Sequence, residues 1–207
     1  MKKHATIYLV DDDDAVRHAL ITLLATSGYT ARGFESAESF LETADLTGPG
    51  VLLLDQRMDG MSGLELQKEL ATREVDMPVI FITGHGDIPM SVIAMRTGAV
   101  TVLEKPFNNR QLIDSLEEAL AVVKKNTAVH QLQADIRSRF ATLTTRERDV
   151  MKYVVQGMTN RSIGELLDLS NRTVEVHRSK VMKKMHASTL PELVLMAPAC
   201  GLDVSGH

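Results

Sequence analysis

The run Val51-Leu52-Leu53-Leu54-Asp55 is the sequence feature that most constrains the fold. Four consecutive aliphatic residues are too few for a helix and too apolar for an exposed edge strand. The run therefore predicts a central strand that is covered on both faces, as in a parallel sheet. Because ligands of open α/β sheets bind at the carboxyl ends of the strands, Asp55 lies where chemistry is expected. For this aspartate alone, a helix cap or a turn is the simpler explanation.

Four further apolar runs predict strands, and helical patterns separate them. The strands are predicted over residues 5–10, 30–34, 78–82 and 100–103. The helices are predicted over residues 15–25, after a capping Ser36, and over 64–72, 88–96 and 109–124. Five strands that alternate with five helices in ~125 residues indicate a right-handed, doubly wound parallel sheet.

The strand pattern disappears after residue 124, which indicates a second domain. Residues 125–142 are polar, contain no Gly or Pro and mix both charge signs, so we expect a partly helical linker. Four helical stretches follow, over residues 145–155, 160–167, 172–185 and 190–197. The sequence therefore predicts an α/β domain over 1–124, the linker over 125–142, and an all-α four-helix domain over 143–207.

The two parts differ in charge. Residues 1–127 carry 19 acidic and 12 basic side chains, whereas residues 128–207 carry 8 acidic and 11 basic ones. An acidic first part fits a cation site and a basic second part fits a polyanion, although solvated surface explains both equally.

The composition also bears on the compartment. The single cysteine, Cys200, cannot form an internal disulfide, which favours a reducing environment. No stretch approaches the ~20 apolar residues that span a bilayer, and the apolar stretch after Met1-Lys2-Lys3 is short and runs into four aspartates. We therefore expect a soluble, cytoplasmic protein with no membrane partner.

Polar side chains follow four of the predicted strands, and the topology brings those strand ends to one edge of the sheet. These side chains are Asp11 and Asp12, Asp55, Thr83, and Lys105. Three crowded carboxylates repel one another and favour a cation, and Mg²⁺ prefers hard oxygen ligands beside a phosphate. A carboxylate held beside Mg²⁺ can attack phosphorus to give an acyl phosphate. An ammonium and a hydroxyl group could each contact a phosphoryl oxygen.

Four segments around these side chains resemble the receiver domain of two-component response regulators, which has a flavodoxin-like fold. They are Leu9-Val10-Asp11-Asp12-Asp13, Leu53-Leu54-Asp55-Gln56-Arg57-Met58, Ile82-Thr83-Gly84-His85-Gly86-Asp87 and Glu104-Lys105-Pro106-Phe107. The resemblance implies Asp55 as the phosphoacceptor, which becomes a 4-aspartylphosphate with a histidine kinase as donor. It implies Mg²⁺ as the cofactor, held by Asp12 as a direct ligand, by Asp11 as a second ligand that can act through water, and by Asp55 and the backbone carbonyl of Arg57.

The same resemblance implies roles for the other polar positions. Thr83 and Lys105 would sense the phosphoryl group, and Lys105-Pro106 would be a cis bond. Arg57 and His85 occupy positions where the family varies and where the phosphoryl lifetime is tuned, but a plain loop residue is an equal explanation for His85.

Three residues depart from the receiver pattern. Asp59 stands where the family usually has proline, which suggests a looser turn. Thr101 and Val102 stand where related receivers often have an aspartate and an aromatic switch residue. Without an aromatic ring at position 102, the side-chain rotation that usually reports phosphorylation cannot occur there.

The second and third helices of the all-α domain have the spacing of a helix-turn-helix. Ser170 or Asn171 can cap the second helix of this pair, which has five basic residues and one acid between Arg172 and Lys184. Val174, Val181 and Met185 recur at helical spacing and are expected to pack inward. An ordinary amphipathic surface helix would show the same pattern.

Three segments of this domain resemble the LuxR-type output domain: Leu143 to Glu147, Asn160 to Gly164, and Arg172 to Arg178. With the receiver, nearly the whole chain resembles the FixJ/NarL class of response regulators. In that class the second helix of the motif enters the major groove of DNA. The resemblance places Glu175, Val176 and Ser179 against base edges, with Arg172, Thr173, His177, Arg178 and Lys180 nearer phosphates. The last helix is the expected dimer surface of this domain. The two-fold symmetry of such a dimer would match a two-fold operator.

The leading interpretation is a phosphorylation-switched transcription factor, with RNA polymerase as a further partner. We expect a protein that accepts a phosphoryl group and can dephosphorylate itself, rather than a dedicated enzyme. A haloacid-dehalogenase-like phosphatase is one alternative, but it needs a second aspartate where Arg57 stands. A phosphorylation-independent DNA- or RNA-binding regulator with an inert receiver is the other, and the complete set of five polar side chains argues against it.

Overall fold

The structure, a computed structural model, describes residues 5–84 and 88–204, except for the side chains of 88–90. The first part alternates strands with helices: β1 Thr6–Val10, α1 Asp14–Thr26, β2 Thr30–Phe34, α2 Ala37–Thr43, β3 Gly50–Asp55, α3 Gly63–Thr72, β4 Val79–Thr83, α4 Ile88–Arg96, β5 Thr101–Glu104 and α5 Asn109–Ala141. The second part is helical: α6 Thr145–Val155, α7 Asn160–Leu167, α8 Asn171–Met185, α9 Leu190–Met196 and a short 3₁₀ helix, Pro198–Cys200.

The five strands form one parallel sheet in the order β2-β1-β3-β4-β5. All six residues of β3 are buried, as the aliphatic run predicts for a central strand. Its side chains alternate between two cores. Leu52 and Leu54 pack with residues of α2, α3 and α4, whereas Val51 and Leu53 pack with residues of α1 and α5. The doubly wound sheet is thereby confirmed.

Helix α5 differs from the prediction. The sequence predicts a helix that ends near Lys124 and a partly helical linker after it, but α5 continues without a break to Ala141. The physical reason is that this stretch contains no glycine to end the helix and no proline to interrupt it. The chain divides into two compact units, Met1–Thr127 and Ala128–His207.

The second unit has its own core, built mainly from α6, α7, α8 and α9. Ser170 caps α8 by accepting a hydrogen bond from the backbone N–H of Thr173, which decides between the two predicted caps. The turn before it is tight: a Cβ on Gly164 would lie 2.6 Å from the carbonyl oxygen of Leu169. Asp168, at φ 54°, lets the chain leave α7 in the left-handed region. These features fix the angle between the two helices of the predicted helix-turn-helix.

A buried ion pair ties α6 to α8. The side chain of Glu147 is 4% exposed and accepts a hydrogen bond of 2.6 Å from Lys184 Nζ. Glu147 also accepts from the backbone N–H of Thr144, while the Thr144 hydroxyl accepts from the backbone N–H of Glu147, a capping box. Burial by itself would raise the pKa of Glu147, but the hydrogen bonds from Lys184 and Thr144 outweigh it and lower the pKa.

We predict that Lys184→Met destabilises the second unit by about 1–3 kcal/mol, because it leaves a buried carboxylate without its ammonium partner. Lys184 is partly exposed, so the loss should stay below that of a wholly buried pair. Lys183→Met, at an exposed position of the same helix, is the matched control. Urea unfolding followed through NMR signals of α6 and α8 measures both variants.

The pair also predicts a pH dependence. Because the folded pKa of Glu147 is lowered, its contribution is complete above the ordinary glutamate pKa of about 4.3 and is lost as the pH falls through the folded value. Wild type should therefore lose more free energy of unfolding than Lys184→Met between pH 6 and pH 3. Equal losses would show that Lys184 does not lower this pKa.

Candidate functional site

The candidate phosphoacceptor lies at the carboxyl end of the central strand. Asp55 is the last residue of β3, Asp11 follows β1 directly, and both are buried. Thr83, at the end of β4, is buried as well, whereas the neighbouring Asp12 is exposed. The topology thus brings together the polar side chains that the sequence places after four different strands.

Lys105, from the segment after β5, links the carboxylates. Its Nζ donates to Asp55 Oδ1 at 3.1 Å and to Asp11 Oδ2 at 3.3 Å. Its backbone N–H donates to the carbonyl oxygen of Thr83 at 2.7 Å, which ties this segment to β4. The Lys105-Pro106 bond is cis, as the resemblance implies. One ammonium group therefore bridges strands that are far apart in sequence.

The electrostatics of the site favour further positive charge. Burial raises the pKa of Asp55; Lys105 opposes that shift, while Asp11 and Asp12 add to it. Burial lowers the pKa of Lys105, but the two buried carboxylates more than offset this and the pKa is raised overall. The ammonium is therefore charged at neutral pH, and it faces more than one negative charge.

The acidic cluster fits a divalent cation. One carboxylate oxygen each from Asp11, Asp12 and Asp55 lies within 4.8 Å of the others. These are hard oxygen donors, and their mutual repulsion is relieved by a cation among them. The donor set is therefore the kind that Mg²⁺ prefers, and the exposed Asp12 leaves one side of the cluster open to solvent.

Hydrogen bonds and close contacts of the local backbone hold Asp11 and Asp55 in place at the ends of their strands. Asp11 Oδ1 accepts from the backbone N–H of Asp13, and Arg17 donates to the Asp11 carbonyl at 2.8 Å. Asp13 in turn caps α1. At the other strand, a Cβ on Gly63 would lie 2.6 Å from the carbonyl oxygen of Asp55, so only glycine lets α3 begin this close to the end of β3.

The departures from the receiver pattern have structural consequences. The backbone N–H of Asp59 donates to Asp12 Oδ2 at 3.1 Å, a hydrogen bond that a proline at this position could not make. Val102 is half-buried against the core that faces α4, and Thr101 is half-buried beside it. The prediction for His85 lies outside the described residues. The Asp59 contact was missed because a backbone donor has no signature in the sequence beyond the absence of proline.

Helix α8 presents the face that the sequence predicts. Val174, Val181 and Met185 are buried, as expected from their spacing. Of the eight predicted DNA contacts, five are exposed: Arg172, Glu175, Val176, Ser179 and Lys180. Val176 is a hydrophobic side chain that is 47% exposed, on the face of α8 opposite to its packed apolar residues.

The other three predicted contacts, Thr173, His177 and Arg178, are half-buried. Arg178 donates to Asn160 Oδ1 at 2.8 Å, so its guanidinium group is held against the start of α7. Within the described residues, Nδ1 of His177 is buried and makes no hydrogen bond, which indicates that this half of the ring packs against protein. Asn160, which the sequence reasoning missed as an orienting residue, lines an open groove of about 670 Å³ with Glu175 and Ser179.

Comparison with known families identifies both units. Residues 7–117 match the response regulator receiver domain, and residues 141–197 match the LuxR family of bacterial regulatory proteins. The chain belongs to the response regulators. This confirms the family that the two resemblances predict, and it accounts for an acidic α/β unit followed by a basic helical one.

Relatives cover nearly the whole of this response regulator. It is 46% identical to the transcriptional regulatory protein FixJ of Rhizobium meliloti over 97% of this chain and 98% of that one. It is 39% identical to Nodulation protein W of Bradyrhizobium diazoefficiens, over 97% and 88%. Among solved structures, the response regulator StyR aligns with a TM-score of 0.78 at 38% identity, over 94% and 98%. Full-length FixJ of B. japonicum aligns with a TM-score of 0.59 at 38% identity, over 97% and 98%.

The protein is thus a response regulator that controls transcription through a LuxR-type DNA-binding domain. Its family consists of transcriptional regulators rather than dedicated enzymes, and a receiver joined to such a domain implies a histidine kinase and DNA as partners. Within the described residues, no helix is both long enough and apolar enough to cross a bilayer.

Proposed function

We propose that Asp55 accepts a phosphoryl group from a histidine kinase and that the resulting acyl phosphate controls DNA binding by α8. The observation that carries this proposal is the contact of Lys105 with both Asp55 and Asp11 at the end of the central strand. An ammonium group beside a buried carboxylate, with two further carboxylates near it, suits phosphoryl transfer, which depends on positioning and charge neutralisation.

In this proposal an oxygen of the Asp55 carboxylate attacks phosphorus, the P–O bond forms, and the P–N bond to the donor imidazole breaks. The imidazole leaves with the electron pair and takes a proton from solvent. Lys105 stays within reach of the transferred group and offsets its charge, and the buried Thr83 lies at the adjacent strand end. Later hydrolysis of the same acyl phosphate would return the carboxylate, which is the self-dephosphorylation expected of this site.

Mg²⁺ would be held by Asp11, Asp12 and Asp55 with the backbone carbonyl of Arg57. When bound, it neutralises charge on the phosphoryl group and on the crowded carboxylates. The support for this cofactor is the spacing and hard-oxygen chemistry of the cluster.

Replacement of the proposed acceptor is the direct test of the site. Asp55→Asn is nearly isosteric but a far poorer nucleophile, so labelling by the small phosphodonor acetyl phosphate should vanish while the fold persists. Asp59→Asn, at an exposed position four residues along, is the matched control and should label like wild type. Excess chelator should abolish labelling of wild type. Label retained in Asp55→Asn, or in wild type with chelator, would contradict the assignment.

A gel shift separates the switch from a regulator with an inert receiver. Acetyl phosphate with Mg²⁺ should tighten binding of wild type to its operator, because the acyl phosphate at Asp55 is proposed to control DNA binding by α8. The operator affinity of Asp55→Asn should not change, because this variant cannot form the acyl phosphate. Identical operator binding by wild type with and without the phosphodonor would support the inert-receiver alternative.

On DNA, we propose that α8 lies in the major groove with two classes of contact. Glu175, Val176 and Ser179 would meet base edges, and the exposed Arg172 and Lys180 would lie near phosphates, together with the half-buried Thr173, His177 and Arg178. The exposed apolar Val176 supports this placement, because it offers a surface for a base methyl group. Base contacts give sequence choice, and phosphate contacts give affinity and salt dependence.

The two classes predict different mutant behaviour. Lys180→Ala should weaken binding to all DNA sequences alike and reduce the slope with which affinity falls as salt rises. Val176→Ala should change preference at particular base pairs, by about 1–3 kcal/mol where the contact is good. Binding measured over a salt series and a panel of operator variants tests both. A change of sequence preference in Lys180→Ala with an unaltered salt slope would refute the placement.

We propose a homodimer on activation or on DNA, with α9 as the output-domain surface, RNA polymerase as a further partner and the cytoplasm as the site of action. In the receiver, α4 exposes Val92, Ile93 and Met95, which could pair with a second copy. Thr101 lacks the carboxylate that could pair with Arg96 across such a dimer. Exposed ion pairs contribute only ~0–1 kcal/mol, so its loss should weaken association rather than abolish it.

We therefore predict a weak receiver dimer. Residues 1–127 with beryllofluoride, a phosphoryl mimic, should sediment mainly as monomer at low micromolar concentration, because Thr101 offers no ion pair and Val102 no aromatic ring. Thr101→Asp should restore the acid and shift the equilibrium towards dimer. A stable wild-type dimer under these conditions would show that the apolar face of α4 compensates.

A further inference from the structure

The loop between β3 and α3 is held to its neighbours through two backbone N–H groups. That of Asp59 donates to Asp12 Oδ2 at 3.1 Å, and that of Met61 donates to Glu38 Oε1 at 3.1 Å. Between them Gly60 adopts φ 81°, a conformation that a side chain would strain. Two carboxylates from other elements therefore fix the path of this loop directly after the phosphoacceptor strand.

Asp12 is the member of the acidic cluster that most needs such a restraint. Asp11 is wholly buried and Asp55 nearly so, and both accept hydrogen bonds from Lys105. Asp12 is exposed, and repulsion from the two buried carboxylates favours a rotamer that points its charge into solvent. The backbone N–H of Asp59 donates to Asp12 Oδ2, while one carboxylate oxygen of Asp12 lies within 4.8 Å of oxygens of Asp11 and Asp55.

The chemistry of position 59 decides whether this bond can exist. A proline has no backbone N–H and so could not donate to Asp12. Any other residue could, whatever its side chain, and the Asp59 carboxylate is itself exposed and is not part of the acidic cluster. The contribution of this position is therefore expected from its backbone rather than from its charge.

We propose that the backbone N–H of Asp59 is a positioning group for Asp12: it holds this carboxylate in the acidic cluster before a cation binds, and thereby strengthens Mg²⁺ binding. The inference rests on the proposed function of the site. It adds the loop after β3 to the elements that build the cation site, and it makes Asp12 a preset ligand rather than one that the cation must recruit.

Two substitutions separate the backbone from the side chain. Asp59→Pro removes the N–H, whereas Asp59→Ala keeps it and removes the carboxylate. Because the chain contains no tryptophan to report binding, amide NMR signals of the site can follow a titration of the full chain with Mg²⁺ alone. We expect Asp59→Pro to raise the Kd for Mg²⁺ about three- to tenfold and Asp59→Ala to change it less than about twofold. Equal affinities of wild type and Asp59→Pro would overturn the proposal, as would an equal loss in both variants.

A second measurement needs no metal and no proline. In metal-free full chain, hydrogen exchange at the Asp59 amide should be slower than in Asp12→Ala, while exchange at the Met61 amide, which is bonded to Glu38, stays the same. Equal exchange at Asp59 in the two proteins would overturn the proposal. If wild type itself failed to bind Mg²⁺, the proposed function would fail, and the exchange result would still decide whether Asp59 positions Asp12.

Discussion

The contact of one ammonium group with two buried carboxylates is the interaction on which the site depends. Lys105 follows the edge strand β5 and contacts Asp55 and Asp11, and its backbone N–H is hydrogen-bonded to the carbonyl oxygen of Thr83. Without it, two buried negative charges would lack their cationic partner, which is strongly unfavourable. With it, both carboxylates have a cationic partner, and the crowding of three carboxylates around one ammonium group favours a further cation. The same ammonium group that stabilises the resting state would then face a phosphoryl oxygen.

In the second unit, an ion pair with a buried carboxylate also holds elements together, and here it orients helix α8. Glu147 and Lys184 fix α8 against α6, and the tight turn at Gly164 fixes α7 against α8. Because these buried contacts settle the orientation of α8, its opposite face can be left to exposed side chains such as Val176 and Lys180. Packing on one face and exposed side chains on the other are what the recognition helix of a helix-turn-helix requires.

The sequence predicted the elements of the fold where its pattern was strong. Aliphatic runs such as the one before Asp55 mark strands covered on both faces, and a polar side chain after each run predicts the common edge of the sheet. The end of α5 was misplaced because a polar stretch without glycine or proline fits a linker and a solvated helix equally well. The hydrogen bonds between Thr144 and Glu147 could have been predicted, since Thr144-Thr145-Arg146-Glu147 is a capping-box pattern, but the burial of Glu147 could not.

Contacts made by backbone groups could not be predicted in this way. The Asp59 N–H bond to Asp12 and the close approach of Gly63 to Asp55 depend on the path of the loop, which no side-chain pattern records. The bond between Arg178 and Asn160 joins two helices and likewise follows only from their packing angle.

The central claim is that Asp55 forms an acyl phosphate, and reductive trapping tests it most directly. Borohydride reduces an aspartyl phosphate to homoserine, and peptide mass spectrometry locates the product. After treatment with acetyl phosphate and Mg²⁺, the account predicts homoserine at position 55 and none at Asp11, Asp12 or Asp59. Homoserine at another aspartate, or its absence from a protein that carries phosphoryl label, would contradict the account.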